Sequence, residues 1–153
     1  DIDHAVDDGK GDDYYDQARE NVRRLSEQYD VDMAQEIATD VDSRPAQVVS
    51  YRLTESEPYG AWLAFDEAVF EALWVDGRDI GDAAVLEDCA EKAGLDPGVV
   101  GGALDDDALI ARVDDLFEAA RQQGITGVPT FAYDGHAARG AVPPAHLRRL
   151  VEG

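Results

Sequence analysis

Apolar residues recur at every third or fourth position through most of the first 123 residues, the spacing typical of amphipathic helices. One such stretch runs from Tyr14 to Tyr29, after Asp12 and Asp13, whose carboxylates can cap a helix N-terminus. The widest apolar face lies between Tyr59 and Asp76. It comprises Trp62, Phe65, Val69 and Leu73, with Phe70 and Trp74 beside them. This width predicts a helix that must be buried on that side.

Shorter periodic segments predict further helices. One begins after Asp42 and ends at Pro58, and another covers 82–93 and is closed by Gly94. A brief helical turn follows Asp96 and is loosened at Gly101 and Gly102, and a long helix then runs from 105 to Gly124. Its expected core face is Leu109, Val113, Leu116, Phe117 and Ala120. Two segments are harder to interpret: 1–11 reads as a polar arm, and 31–39 fits a strand, a helix or a loop.

Strand patterns occur only near the C-terminus. Residues 130–133 and roughly 136–140 flank Asp134-Gly135, a strong signal for a two-residue hairpin. Pro143 and Pro144 then open a last helix, because proline is tolerated in a first helical turn.

The charge is strongly negative: 34 acidic residues stand against 13 basic ones, a formal −21. Carboxylates occur in every predicted helix, and lysine is rare. An acidic, lysine-poor surface around an ordinary apolar core indicates a protein of salt-rich cytosol, where ions screen the repulsion between carboxylates. An acidic interaction tail or a nucleic-acid mimic is the rival interpretation. A nucleic acid is excluded as a partner, because this surface repels phosphates.

The chain shows no apolar run of membrane-spanning length and no secretory signal. A single cysteine excludes an internal disulfide, so we expect a cytoplasmic protein without a membrane partner. The first residue is Asp1 rather than methionine, which suggests a processed or truncated product.

Gly127-Val128-Pro129-Thr130-Phe131, followed by the hairpin and by Arg139-Gly140-Ala141, resembles the cis-proline segment of thioredoxin-fold proteins. Together with the turn 73–80 and the helices before it, the match is closest to the DsbA-like family, in particular its FrnE-like branch. The resemblance implies an α/β fold of thioredoxin type with a large helical insertion. It assigns 1–123 to the mostly helical insertion region and 124–153 to the C-terminal thioredoxin half, within one domain overall.

The family begins with a strand, a helix carrying Cys-x-x-Cys or a related motif, and a second strand. The chain lacks this N-terminal βαβ portion, and we expect truncation or processing rather than a degenerate family member. No catalytic residue is therefore expected within it. The lone Cys89 lies between apolar helix positions and is interpreted as a core residue.

The resemblance places a substrate-binding loop at Gly127, Val128, Pro129 and Thr130, with Val128-Pro129 in cis and the backbone of Val128 open to an extended peptide. An ordinary trans turn proline is the structural alternative. No histidines share metal-ligand spacing, so no metal is assigned. Neighbouring carboxylates such as Asp66 and Glu67 are interpreted as solvated surface, and the aromatic residues of 59–76 as core rather than as a substrate groove.

The family function is thiol–disulfide exchange between proteins, with a protein or small-molecule thiol or disulfide as partner. For this chain alone enzymatic activity stays open, because the redox cysteine pair is absent. A glutathione-dependent isomerase or transferase of the same superfamily is one alternative, and a non-catalytic binding module is another. No cofactor is expected beyond a redox disulfide in the missing segment, or glutathione in the alternative. Without its neighbouring strands, 130–133 would expose an edge that could pair with another copy of the chain.

Overall fold

A computed structural model describes residues 12–31, 41–140 and 142–152. Within these residues the chain forms seven helices and two strands. The helices are α1 (Asp12–Tyr29), α2 (Arg44–Ser56), α3 (Tyr59–Trp74), α4 (Ala83–Lys92), α5 (Gly98–Leu104), α6 (Asp107–Gln122) and α7 (Pro144–Glu152). The strands β1 (Thr130–Tyr133) and β2 (His136–Arg139) form an antiparallel hairpin. Residues 1–11, and the segment 31–39 apart from its first residue, lie outside the described residues, so their interpretations stay predictions.

The described chain divides into two compact units, 1–113 and 114–153. The division lies inside α6. The boundary at residue 123 that the resemblance implies stays a prediction. In the first unit α3 packs against α2 and α4, and α5 packs against α2 and α4. The core of this unit is built from side chains with no exposed surface: Val49, Leu53, Phe65, Leu86, Val100 and Leu109. Among them, Phe65 and Leu109 are positions that the helical periodicity predicts to face inward.

Helix boundaries follow from local chemistry. The carboxylate of Asp82 accepts a hydrogen bond from Ala84 N–H and caps α4. After α4 the backbone at Gly94 has φ +76°, a conformation that glycine adopts without steric cost and that ends the helix. Gly124 does the same after α6, with φ +75°. These helix ends confirm the stop signals in the sequence.

The structure corrects three details of the helical pattern. Phe70, expected in the buried face of α3, is 63% exposed, and Leu116 on α6 is 51% exposed. Both lie at the margin of an apolar stripe, and within their own unit no element covers them completely. Gly101 and Gly102 were expected to loosen the chain but lie inside α5, because the packing of α5 on α2 and α4 holds the helix together.

The second unit contains the end of α6, the hairpin and α7. Asp134 and Gly135 form the two-residue turn, both with positive φ, as a type I′ hairpin requires. α7 packs against both strands, and Ala138 of β2 is buried. This unit carries the loop that the sequence resemblance assigns to substrate binding.

Candidate substrate-binding site

The loop 125–129 connects the end of α6 to β1 and is fixed at two points. The Thr130 hydroxyl donates a hydrogen bond to the Gly127 carbonyl at 2.6 Å, which closes the loop on itself. The Gly140 N–H donates to the Pro129 carbonyl at 2.9 Å and ties the loop to the far end of β2. The Val128–Pro129 peptide bond is cis. The structure therefore brings the four predicted residues, Gly127 to Thr130, into one tight turn.

Val128 is the most exposed of the large apolar residues in the described chain, with 90% of its surface open to solvent. Apolar side chains of Phe131 and Tyr133 are also partly exposed nearby along β1. A single exposed apolar residue is ordinary, but a loop that presents one beside an open strand offers a contact surface.

The outer edge of β1 has no strand partner among the described residues, since its sheet contains β1 and β2 only. Antiparallel ladders alternate hydrogen-bonded and non-hydrogen-bonded residue pairs. Pro129 and Gly140 are hydrogen-bonded, and Phe131 and Ala138 come two positions later, so they are bonded as well. The intervening Thr130 and Ala132 therefore direct their backbone N–H and C=O groups toward the open edge.

Arg139 lies near the loop 125–129, although in the sequence it stands out only as part of the motif Arg139-Gly140-Ala141. It lies directly opposite Thr130 in the hairpin, so the two side chains share one face of the sheet. Its guanidinium donates a hydrogen bond to the Gly124 carbonyl at 3.1 Å, at the end of α6. The sequence signal that could have identified Arg139 is its position one residue before Gly140, which places it opposite the first residue of β1 once the hairpin is predicted.

Cys89, the single cysteine of the chain, has the properties of a structural residue. It is on α4, 3% exposed, and burial raises the pKa of its thiol more than the neighbouring Arg78 guanidinium lowers it. Arg78 itself is engaged by the Asp88 carboxylate. A buried thiol with a raised pKa is a poor nucleophile, which agrees with its interpretation as a core residue.

The carboxylates do not assemble a metal site: the described residues contain no group of three or more acidic, histidine or cysteine side chains placed to hold an ion. Asp66, interpreted as solvated surface, is half-buried instead. It accepts a hydrogen bond from the Ser50 hydroxyl at 2.7 Å, and Ser50 accepts one from the Trp62 indole N–H at 2.9 Å. This chain of hydrogen bonds joins α2 to α3.

No helix in the described part of the chain combines the length and the apolar character needed to cross a membrane.

The model of the DsbA-like thioredoxin domain family matches residues 11–152. The chain belongs to this family. Among solved structures, a 2-hydroxychromene-2-carboxylate isomerase superposes with a TM-score of 0.69 at 23% sequence identity. The match covers 82% of this chain and 60% of the isomerase chain, so our chain spans only part of that protein's length. At this identity the likeness confirms the thioredoxin-like fold with its helical insertion. No curated protein matches the chain by sequence.

Proposed function

We propose that this chain is the substrate-binding part of a DsbA-like thiol–disulfide oxidoreductase. In such exchange, a thiolate attacks one sulfur of a disulfide, a mixed disulfide forms, and the other sulfur leaves as a thiolate. Cys89 is buried and is not suited to the attack. The attacking thiolate would therefore come from residues outside 1–153, and the chain described here would hold the polypeptide that carries the other sulfur.

The observation that carries this proposal is the exposed loop 127–130, in which Val128 is 90% open to solvent. An extended polypeptide can pair with the exposed backbone of such a loop, with main-chain hydrogen bonds for affinity. The backbone N–H and C=O groups of Val128 would make these bonds, and its side chain would supply an apolar contact. Binding through the main chain suits an enzyme that acts on many polypeptides, because it does not depend on side-chain identity.

Replacement of Val128 by serine tests this directly. Serine keeps the backbone N–H and C=O groups but removes the apolar contact, and the exposure of Val128 means that the core is not disturbed. We expect Val128→Ser to weaken binding of an unstructured ten-residue peptide with one blocked cysteine by about fivefold. Peptide titration followed by amide chemical shifts gives both the affinity and the location of the bound peptide.

Val151→Ser is the matched control. It makes the same substitution at an exposed position of α7, where Val151 is 55% exposed. It should leave peptide affinity within about twofold of the unchanged chain. Equal weakening by both substitutions, or shift changes centred away from 127–130, would refute peptide binding at this loop.

The second candidate is a glutathione-dependent isomerase or transferase. It is favoured by the likeness to 2-hydroxychromene-2-carboxylate isomerase. The two candidates predict different ligands at the same loop. Glutathione binding with no detectable peptide binding would favour the isomerase. A disulfide-exchange assay on the longest translation product that contains this chain separates them independently.

A further inference from the structure

Two consecutive residues at the end of β2 hold the two ends of the loop 125–129. The Arg139 guanidinium donates a hydrogen bond to the Gly124 carbonyl at 3.1 Å, just before the loop. The Gly140 N–H donates to the Pro129 carbonyl at 2.9 Å, at the last residue of the loop. Any residue except proline offers the N–H that binds Pro129. The bond to Gly124 needs a long side chain with a donor, so it depends on the identity of residue 139.

The Gly124 carbonyl lies just beyond the last bonds of α6. The Gly124 N–H donates to the Arg121 carbonyl at 2.9 Å, and the Ile125 N–H donates to the Ala120 carbonyl at 3.0 Å. This pair of bonds, with Gly124 at φ +75°, satisfies carbonyls of the last turn but not that of Gly124 itself. The negative end of the helix dipole also lies here and favours a cation. Arg139 supplies both a donor and a positive charge at this point.

Few other bonds hold the first half of the loop. Among the described residues, the N–H groups of Thr126 and Val128 donate no backbone hydrogen bond. The Thr130 hydroxyl holds the Gly127 carbonyl at 2.6 Å, but this bond joins the loop only to the strand that follows it. Without the Arg139 donor, the segment that follows α6 gains freedom. A ligand that binds the loop must then order this segment, and the lost conformational entropy weakens binding.

We infer that Arg139 is a positioning residue, which fixes the start of the loop so that Val128 meets a ligand in a preformed conformation. The inference rests on the proposed function, because it concerns the loop that would bind the peptide. Arg139 acts through the Gly124 carbonyl and does not touch the ligand. It forms no ion pair with any described residue, so no carboxylate there competes for its guanidinium. Neither loop bond uses a group on the outer edge of β1, so the role of Arg139 holds whichever strand pairs there.

The test compares the unchanged chain with Arg139→Met and Arg121→Met. Methionine keeps a long side chain but has neither an N–H donor nor a charge. Arg121 is exposed in the last turn of α6, where it pairs with Glu118 at 3.2 Å. Arg121→Met therefore removes the same charge near the same helix end and leaves the bond from Arg139 to Gly124 in place. Exposed ion pairs contribute little to stability, so this control should fold normally.

The first measurement needs no ligand. The Gly124 carbonyl and the Ile125 N–H belong to one peptide group, so Arg139 and Ala120 hold this group from its two sides. In Arg139→Met we expect the Ile125 amide to exchange about fivefold faster, the factor that one lost hydrogen bond of average strength gives. The carbonyl carbon resonance of Gly124 should move upfield, because its hydrogen bond is lost. Amides of the β1–β2 ladder should keep their exchange rates, since the effect of a positioning residue is local.

The second measurement is the Kd of the ten-residue peptide with a blocked cysteine. Arg139→Met should raise this Kd about fivefold. Arg121→Met should change both the Kd and the exchange of the Ile125 amide less than about twofold. Equal effects of the two substitutions would show that charge near the end of α6, rather than the bond to Gly124, is the cause, and would overturn the inference.

The two measurements separate this inference from the proposed function. An Ile125 amide and a Gly124 resonance that Arg139→Met leaves unchanged would overturn the inference, with or without peptide binding. Faster exchange throughout the β1–β2 ladder would overturn it as well, because it would show a general structural role. A loosened loop that binds peptide as tightly as before would refute the role of Arg139 in binding. If the unchanged chain bound no peptide, the proposed function would fail, and the exchange rates would still decide whether Arg139 fixes the loop.

Discussion

Cys89 lies on α4 among the buried residues Val85, Leu86 and Ala90. Its thiol has lost most of its contact with water, and the thiolate form would lose its hydration without gaining a strong partner, which is why the pKa rises. The same residue type on an exposed loop would be reactive. Burial, which the helical spacing already indicates, decides the chemistry of this side chain.

Cys89 should therefore behave as a structural residue. We expect the native thiol to react slowly with a thiol reagent and rapidly in denaturant, and Cys89→Ser to lower the free energy of unfolding by about 1–3 kcal/mol, because a hydroxyl replaces an apolar group in the core. Labelling kinetics and denaturant melts measure the two effects. Peptide affinity at the loop should not change; a loss of binding in Cys89→Ser, with the fold intact, would contradict the structural role.

At the scale of elements, Asp106 links two helices. One carboxylate oxygen accepts the Leu109 N–H at 3.0 Å and so satisfies an unpaired donor in the first turn of α6. The other oxygen binds Arg52 on α2. The hydrogen bond from Leu109, and then that from Arg52, lower the pKa of Asp106. The side chain of Asp106 thus joins the start of α6 to α2.

The lowered pKa makes this link dependent on pH. A carboxyl with a lower pKa in the folded state stabilises the fold above the unfolded value, about 3.9, and this stabilisation is lost as pH falls through the folded value. Asp106→Asn should therefore have a lower free energy of unfolding than the unchanged chain near neutral pH, and this difference should become smaller in acid. Denaturant melts between about pH 2 and pH 6 measure the difference from the unchanged chain.

Asp105→Asn is the control for this experiment. It removes the same charge from the adjacent exposed position, next to the start of α6. It should change stability little at any pH. If the two variants gave the same pH profile, general charge repulsion rather than the link through Asp106 would be the cause.

The whole molecule carries far more carboxylates than cations, and the ion pairs of the described residues lie largely at the surface. Exposed pairs contribute little each, about 0–1 kcal/mol, and salt weakens them. Salt also screens the repulsion among carboxylates, which is the larger effect in a chain with a formal charge of −21. Screening should therefore stabilise this fold on balance.

We expect the melting temperature to rise between about 0.1 M and 3 M KCl, because the Debye length falls from about 10 Å to under about 3 Å. Circular dichroism melts measure it. Sucrose at matched osmolality is the control for effects of cosolute on hydration rather than on charge. A melting temperature that is flat across this range would contradict the interpretation of the chain as a protein of salt-rich cytosol. Together with the FrnE-like branch and the cytoplasmic location, that interpretation stays a prediction.

The sequence alone determined the local structure and the family. The signals that succeeded are short-range. Apolar spacing depends on one face of one helix. The helix ends at Gly94 and Gly124 and the turn at Asp134-Gly135 depend on the backbone sterics of one or two residues. The motif Gly127 to Phe131 led to the DsbA-like family, which the family model confirms. The same motif predicts that Gly127 to Thr130 form a substrate-binding loop, and that role stays a prediction.

Only the tertiary structure decided which apolar positions are covered and which polar ones are engaged. Phe70 lies on a predicted core face and is exposed, while Asp66 was expected in water and binds Ser50 of a neighbouring helix. The contact of Arg139 with Gly124, 15 residues away in the chain, has no local signature either. Periodicity describes one element at a time, and burial and pairing depend on which elements meet, so these features follow from packing alone.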